Sequence, residues 1–230
     1  NPIKICFLSY THPYDDTRVF HKEAFSLSQA GYEVTHLAPG SGECSRELGI
    51  HIVTFAKKGN GLMGKLSGLY GFFRKAFELR ADCYHCNEIE SWMVGCLLKI
   101  FRRGKLVVFD IHEHYPSRAA EPHFPRWFRW IGGPVVRILF FVLTPFTDYF
   151  IFAKRNVASD FSSRRHESEF VFNYAPLRMQ PPVKTDISGE NERGLDASIT
   201  AIHIGPISRA RGWPQLLQAL AGMKCRELNV

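Results

Sequence analysis

Residues 105–113 read Lys105-Leu106-Val107-Val108-Phe109-Asp110-Ile111-His112-Glu113, an apolar run that ends in ionisable side chains. A short Val/Leu/Phe run bounded by polar residues suits a strand covered on both faces, and such strands belong to parallel sheets. The strand is expected over Lys105–Asp110. Ile3–Ser9, Glu33–Ala38, His51–Ala56, Asp82–Cys86, Tyr149–Ala153 and Glu169–Phe172 are further strands on the same reasoning. Between them lie helical patterns at Arg18–Ala30, Leu62–Leu79, Ser91–Arg102, Pro125–Leu143 and Val157–Ser163. In the first, Val19, Phe20, Ala24 and Leu27 form one stripe, and Gly31 fits the position just past a helix end. Ser91 suits a helix cap, and Gly132-Gly133-Pro134 is expected to break the helix that contains it. The alternation predicts an α/β fold: a Rossmann-like, doubly wound, mainly parallel sheet with helices on both faces.

Composition narrows the class. The chain has 230 residues, 45% hydrophobic, 13% aromatic and 22% charged, which excludes a disordered chain. Its 18 glycines follow no triplet period, and six cysteines are too few for a disulfide scaffold. Lys plus Arg number 29 against 22 Asp plus Glu, a net charge of +7 that suits a phosphate-bearing partner. The N-terminus runs straight into Ile3-Lys4-Ile5-Cys6 with no charged leader, so reduced thiols and a cytoplasmic site are the expectation. Val135–Phe146 is interrupted by Arg137 and Pro145 and is too short to span a bilayer.

Residues 173–198 are rich in Pro, Gly and charge and read as a linker. Residues 1–172 then form one domain. Beyond the linker, a strand at Ile199–Ile204, a loop at Gly205–Gly212, a helix at Trp213–Ala221 and a strand start at Glu227–Val230 open a second α/β domain, and 199–230 is its first βα unit, incomplete here.

Ligands of parallel sheets bind beyond the carboxyl ends of the strands. The loops there carry Thr11-His12-Pro13-Tyr14-Asp15-Asp16-Thr17-Arg18, then Asn87 and Glu88, then Asp110-Ile111-His112-Glu113, then Gly205 to Gly212 with Arg209 and Arg211. A His and a carboxylate at a strand end can orient a hydroxyl or act as an acid/base pair; equally, His112 can satisfy loop carbonyls and Asp110 can cap a turn. Asp16 or Thr17 can cap the first helix. Cys83-Tyr84-His85-Cys86 has metal or redox spacing, but no second ligand pair accompanies it and it falls within a strand, away from the helix N-termini where low-pKa thiols occur. Arg209-Ala210-Arg211-Gly212 precedes a helix, where free N–H groups and the dipole favour an anion. Phe124–Phe146 is basic and aromatic. It reads either as a membrane-touching face or as a core helix whose arginines reach water. No nucleic-acid reading motif is present. No Gly-x-Gly-x-x-Gly follows the first strand, which disfavours a dinucleotide-binding domain.

Taken together, these loops resemble a known pattern. Asp15-Asp16-Thr17-Arg18 with Lys22-Glu23-Ala24 and Ala30-Gly31-Tyr32-Glu33-Val34 is similar to the opening of GT-B glycosyltransferases of family 4. So are Ala81-Asp82 leading into Tyr84-His85, Val107-Val108-Phe109-Asp110-Ile111-His112-Glu113, Phe172-Asn173-Tyr174-Ala175-Pro176, and Ile204-Gly205-Pro206-Ile207 through Arg211-Gly212. The resemblance implies two Rossmann-like domains facing across a cleft, acceptor in the first and nucleotide-diphospho-sugar in the second. It implies metal-independent transfer with retention and no cofactor. His112 matches the residue near the reacting sugar and acceptor hydroxyl. Asp16, Arg18, Asn87, Glu88 and Glu113 fall on the acceptor side, and Arg211 with Gly212 on the donor diphosphate. The first loop lacks the Gly-Gly pair of many members, and Pro206 stands where many have a phosphate-binding Arg. The second domain's Glu-x7-Glu element lies beyond Val230, so the chain by itself is expected to be inactive. The expected role is polysaccharide or glycolipid assembly on a glycan or lipid-linked acceptor, with an anionic membrane surface as a further partner and no nucleic acid. The alternative is a non-catalytic module that binds membrane or partner.

Overall fold

The computed structural model describes residues 2–42, 44–57, 61–112, 115, 126–158, 167–174, 199–200, 212–222 and 228–229. They fall into two compact units, Asn1–Tyr174 and Ala175–Val230. The first unit holds one sheet of eight strands: β1 (Lys4–Leu8), β2 (Glu33–Pro39), β3 (Ser45–Glu47), β4 (Ile50–Phe55), β5 (Cys83–Cys86), β6 (Leu106–Ile111), β7 (Tyr149–Phe152) and β8 (Glu167–Phe170). Their order is β3-β4-β2-β1-β5-β6-β7-β8, and every neighbouring pair is parallel except β3 with β4.

The chain winds outward from β1 in both directions, which makes the sheet doubly wound and opens a crevice where the direction reverses, between β1 and β5. Leu8 stands opposite Cys86, and Cys86 opposite Phe109. β1 and β5 therefore end level and β6 runs two residues further, so the loops after them leave one edge side by side.

Two cores sandwich the sheet. On one face, a widened helical turn over Val19–Ala24 and the short helix α1 (Phe25–Gln29) set Val19, Phe20 and Ala24 against Ile5, Phe7, Val34, Ile50 and Ile52. On the other lie α2 (Leu62–Leu79), α3 (Ile89–Phe101) and α4 (Arg126–Leu143). There Trp92 stacks on Phe109 with ring centroids 4.2 Å apart, and its indole N–H donates to Thr147 Oγ1 at 2.7 Å. Each large apolar side chain buried this way contributes about 1.5–3 kcal/mol. A four-residue helix, α5 (Arg155–Ala158), follows β7.

Several expectations are corrected. Gly132-Gly133-Pro134 does not break α4, which runs unbroken with Pro134 inside it. Pro134 removes one N–H, and the carbonyl it leaves belongs to Trp130, which is largely exposed, so water can serve it. α3 begins at Ile89, two residues before Ser91; Ser91 Oγ instead accepts from the backbone N–H groups of Asn87 (3.0 Å) and Glu88 (2.9 Å). The antiparallel edge strand β3 is polar and carries no apolar run to reveal it. Helices on both faces hold for β1, β2 and β4. Over β6 and β7 the cover on the first face is looser: Val108, Tyr149 and Ile151 are half-buried and line, with Glu23, Ser26 and Leu27, a cavity of about 430 Å³.

In the second unit, β9 (Ile199–Thr200) pairs in parallel with β10 (Leu228–Asn229), and α6 (Trp213–Ala221) lies between them in sequence. The expected strand residues 201–204, the loop 205–211 and the helix residues 159–163 lie outside the described residues.

Candidate active site

Asp16 starts the site by shaping the backbone. Its Oδ1 accepts the N–H groups of Arg18 and Val19, both at 2.9 Å, which caps the helical turn. The turn is widened: Glu23 N donates to Arg18 O, five residues back, at 3.0 Å. One extra residue in a turn re-aims the side chains that follow, a feature frequent at functional sites. Here it turns Glu23 inward together with Arg18.

Arg18 is buried and crosses the crevice. Its Nε and Nη2 reach the two oxygens of Asp110 at 3.0–3.1 Å, and Nη1 donates to Val171 O at 2.8 Å. Asp110, fully buried, also holds His112 Nε2 at 2.7 Å. That contact fixes the imidazole orientation and leaves Nδ1 as the second hydrogen-bonding position. The His112 side chain remains one-quarter exposed at the sheet edge.

Glu23 completes the cluster. Its Oε1 lies 2.9 Å from Arg18 Nε, and its Oε2 lies 3.5 Å from His85 Nε2, yet no hydrogen bond reaches either oxygen among the described residues. Two carboxyl groups thus share one guanidinium. Asp110 has the better partners. Burial opposes its charge, but the His112 hydrogen bond and proximity, then His85 and Arg18, hold it down at about 2. Glu23 is left with the proton: burial, then the neighbouring Asp110, push it up to about 9. His85, stacked on Phe7 at 4.4 Å, is kept neutral by burial, at about 4. By spacing, Glu23, His85 and Asp110 could ligate a metal, their ligand atoms lying within 4.8 Å of one another. The Arg18 guanidinium already bridges the two carboxyls, so an added cation would face a fixed positive charge.

This assignment has a pH signature. In the unfolded chain Glu23 loses its proton near 4.5, whereas the folded protein keeps it up to about 9. Stability therefore falls with rising pH across that window, by about 1.4 kcal/mol per pH unit at most. His36 and His85, both at about 4 when folded against 6.5 unfolded, act oppositely, and their contribution is complete by about pH 7.5. Between about pH 7.5 and 8.5, denaturant melts should show the wild type losing stability more steeply than Glu23→Gln. A wild type with no slope there contradicts a protonated Glu23.

Glu88 locks the loop after β1. Its carboxylate accepts from the N–H groups of Tyr10, Thr11 and His12 at 3.0–3.2 Å, from Thr11 Oγ1 at 2.9 Å, and meets His12 Nδ1 at 2.5 Å. Burial opposes its ionisation, but the hydrogen bonds from His12, Tyr10 and Thr11 hold it at about 2. Asn87 is buried beneath: its Nδ2 donates to Ser9 Oγ at 3.0 Å, and Ser9 Oγ lies 2.9 Å from His36 Nε2. Asn87 Oδ1 has no partner among the described residues.

The structure thus gathers Asp16, Arg18, Asn87, Glu88 and His112 along one edge, with Arg18 and Glu88 facing inward as braces. Glu113 and Arg211 lie outside the described residues. Gly212 belongs to the second unit: at φ +77 it precedes α6, and its carbonyl accepts from Leu216 N at 2.9 Å. Sequence reasoning paired Asp110 with His112 but assigned no role to Glu23, His85 or His12. A signal for Glu23 existed, since it stands four residues after the core residue Val19. The Cys83-x-x-Cys86 pair lies in β5, where burial pushes Cys83 up to about 12 and Cys86 well above its ordinary value, so neither offers a ready thiolate.

The family model for Glycosyltransferase Family 4 matches residues 17–170, more than half of the chain. Among solved structures, the sucrose-phosphate synthase tll1590 of Thermosynechococcus elongatus superposes with a TM-score of 0.70 at 12% identity, over 96% of this chain and 60% of its own. Anabaena Alr3699/HepE in complex with UDP and glucose superposes with a TM-score of 0.63 at 17% identity, over 99% of this chain and 59% of its own. The chain spans about three-fifths of the length of these structures. At such identities the likeness is one of fold. No curated protein sequence matches the chain.

Proposed function

Since the chain belongs to glycosyltransferase family 4 and has the GT-B fold, we propose that it takes part in moving a sugar from a nucleotide-diphospho-sugar to a glycan or lipid-linked acceptor, with retention at the anomeric carbon. The setting is polysaccharide or glycolipid assembly at the cytoplasmic face of a membrane. The observation that carries this reading is the Asp110–His112 pair at the open end of β6, level with the Glu88-braced loop. The complex of the Anabaena protein with UDP and glucose supports a nucleotide sugar as donor.

In this reading residues 1–172 hold the acceptor, and the unit opened by Ile199 holds the donor. Asp110 orients His112 so that its ring meets a sugar hydroxyl. Asp16, Asn87, Glu88 and Glu113 line or brace the acceptor side, while His112 and, behind it, Arg18 keep Asp110 ionised. The N-terminus of α6, with Gly212 and Arg211, faces the diphosphate. Its N–H groups and the arginine offset charge on the leaving group, the task a metal performs elsewhere.

The test uses the full gene product that carries this chain. It is incubated with a panel of nucleotide-diphospho-sugars and with saccharide and lipid-linked acceptors, with and without a metal chelator. The expected product keeps the donor's anomeric configuration by NMR, at a rate the chelator leaves unchanged. An inverted product, or no transfer with any pair, contradicts the reading.

A further inference from the structure

Over residues 130–143, α4 carries apolar side chains on its inward and its outward face. Inward, Gly132 and Phe140 are buried, and Val136 and Leu143 are half-buried against the core of the sheet. Outward, Trp130 is 85% exposed, Phe141 69% and Ile138 64%, with Ile131, Val135 and Val142 close to half exposed. Positions 130, 134, 137 and 141 form one helical row, and 131, 135, 138 and 142 the next. Arg137, also exposed, is the charged side chain within them. A helix facing water would carry polar residues on these rows.

Charge identifies the occupant. Residues 122–147 hold no Asp or Glu, while Arg126, Arg129 and Arg137 give the helix three positive charges. An apolar face whose described charged side chain is Arg137, on a helix without a carboxylate, complements an anionic lipid surface, where the apolar residues enter the acyl boundary and Arg137 meets headgroups. No described helix is long and apolar enough to cross a membrane, so α4 would lie on one.

We infer that the outward face of α4 docks on an anionic bilayer. The inference deepens the proposed function, because it rests on the reading of an acceptor supplied from a membrane. α4 is tied to the site: Tyr115, three residues after His112, stacks on Phe109 at 6.2 Å and meets Phe140 of α4 edge-on at 6.1 Å. Docking would hold the end of β6 close to the lipid surface.

The test is co-sedimentation of the chain with phosphatidylcholine vesicles, with and without phosphatidylglycerol, at low and high salt. The wild type should pellet with the anionic vesicles and be released by salt. Ile138→Asp/Phe141→Asp and, separately, Arg137→Glu should each weaken binding about tenfold or more at an unchanged melting temperature. Absence of binding, or variants that bind like the wild type, overturns the inference. So does a wild-type dimer that Ile138→Asp/Phe141→Asp converts to monomer, because the face would then meet a second copy. Transfer to a water-soluble acceptor by the full gene product separates the two readings. Soluble transfer without vesicle binding overturns the docking alone, and vesicle binding without any transfer overturns the glycosyl-transfer reading alone.

Discussion

Replacing Arg18 with Met is expected to destabilise the first unit by about 3–5 kcal/mol, with a melting temperature lower by about 10 °C. The guanidinium is buried among two carboxyl groups and supplies Asp110 with its cation and hydrogen-bond donors from the first loop. Removing it leaves Asp110, with no exposed surface, to hold a charge with only His112 and His85 nearby, or to take up a proton at neutral pH. Arg18 Nη1 also ties Val171 to the first loop, and that hydrogen bond goes too. Arg18→Lys keeps the charge but cannot bridge both Asp110 oxygens, so an intermediate loss is expected. The control is Arg18→Met combined with Glu23→Gln and Asp110→Asn. Neutralising the whole cluster should recover much of the loss, because breaking a buried ion pair costs more than removing it entire. A single variant as stable as the wild type, or a triple variant less stable than the single one, contradicts the account of this cluster.

Much of this fold was legible because parallel strands buried on both faces leave an unambiguous mark. Lys105–Asp110, Ile3–Ser9 and Glu33–Ala38 each lie within a residue or two of an observed strand. Elements marked weakly, or by a conflicting signal, were less visible. β3 is Ser-Arg-Glu, paired only because the chain turns back on β4. The widened turn after Asp16 has no sequence period of its own. Gly-Gly-Pro in α4 carries a true local penalty, yet the helix runs through it with Gly132 and Phe140 buried against the sheet.

The candidate site was legible as a set of loops and not as a set of contacts. Strand-end logic placed Asp16, Glu88 and His112 on one edge. It could not say that Glu88 would spend its oxygens on three successive backbone N–H groups, 76–78 residues away. Nor could it say that Glu23 and Asp110 would share one arginine, since proximity across 87 positions is a property of the wound sheet.

The second large effect concerns His112. In the proposed reaction its ring meets the reacting sugar, so His112→Ala should lower kcat of the full gene product by about 100-fold or more, the usual worth of a positioned acid/base or hydrogen-bonding group. Alanine also strips Asp110 of a partner, at about 1–3 kcal/mol, so lost transfer could be confused with lost fold. His112→Asn offers Asp110 an N–H in place of the imidazole and should keep the fold while losing the same activity. With Arg18, Glu23 and Asp110 untouched, the melting temperature of the Asn variant should stay close to that of the wild type.

The most direct measurement is therefore the turnover of His112→Asn beside the wild type, on one donor and acceptor pair, with a thermal melt of each. The account expects transfer lower by about 100-fold or more at a matched melting temperature. Turnover within threefold of the wild type would contradict it.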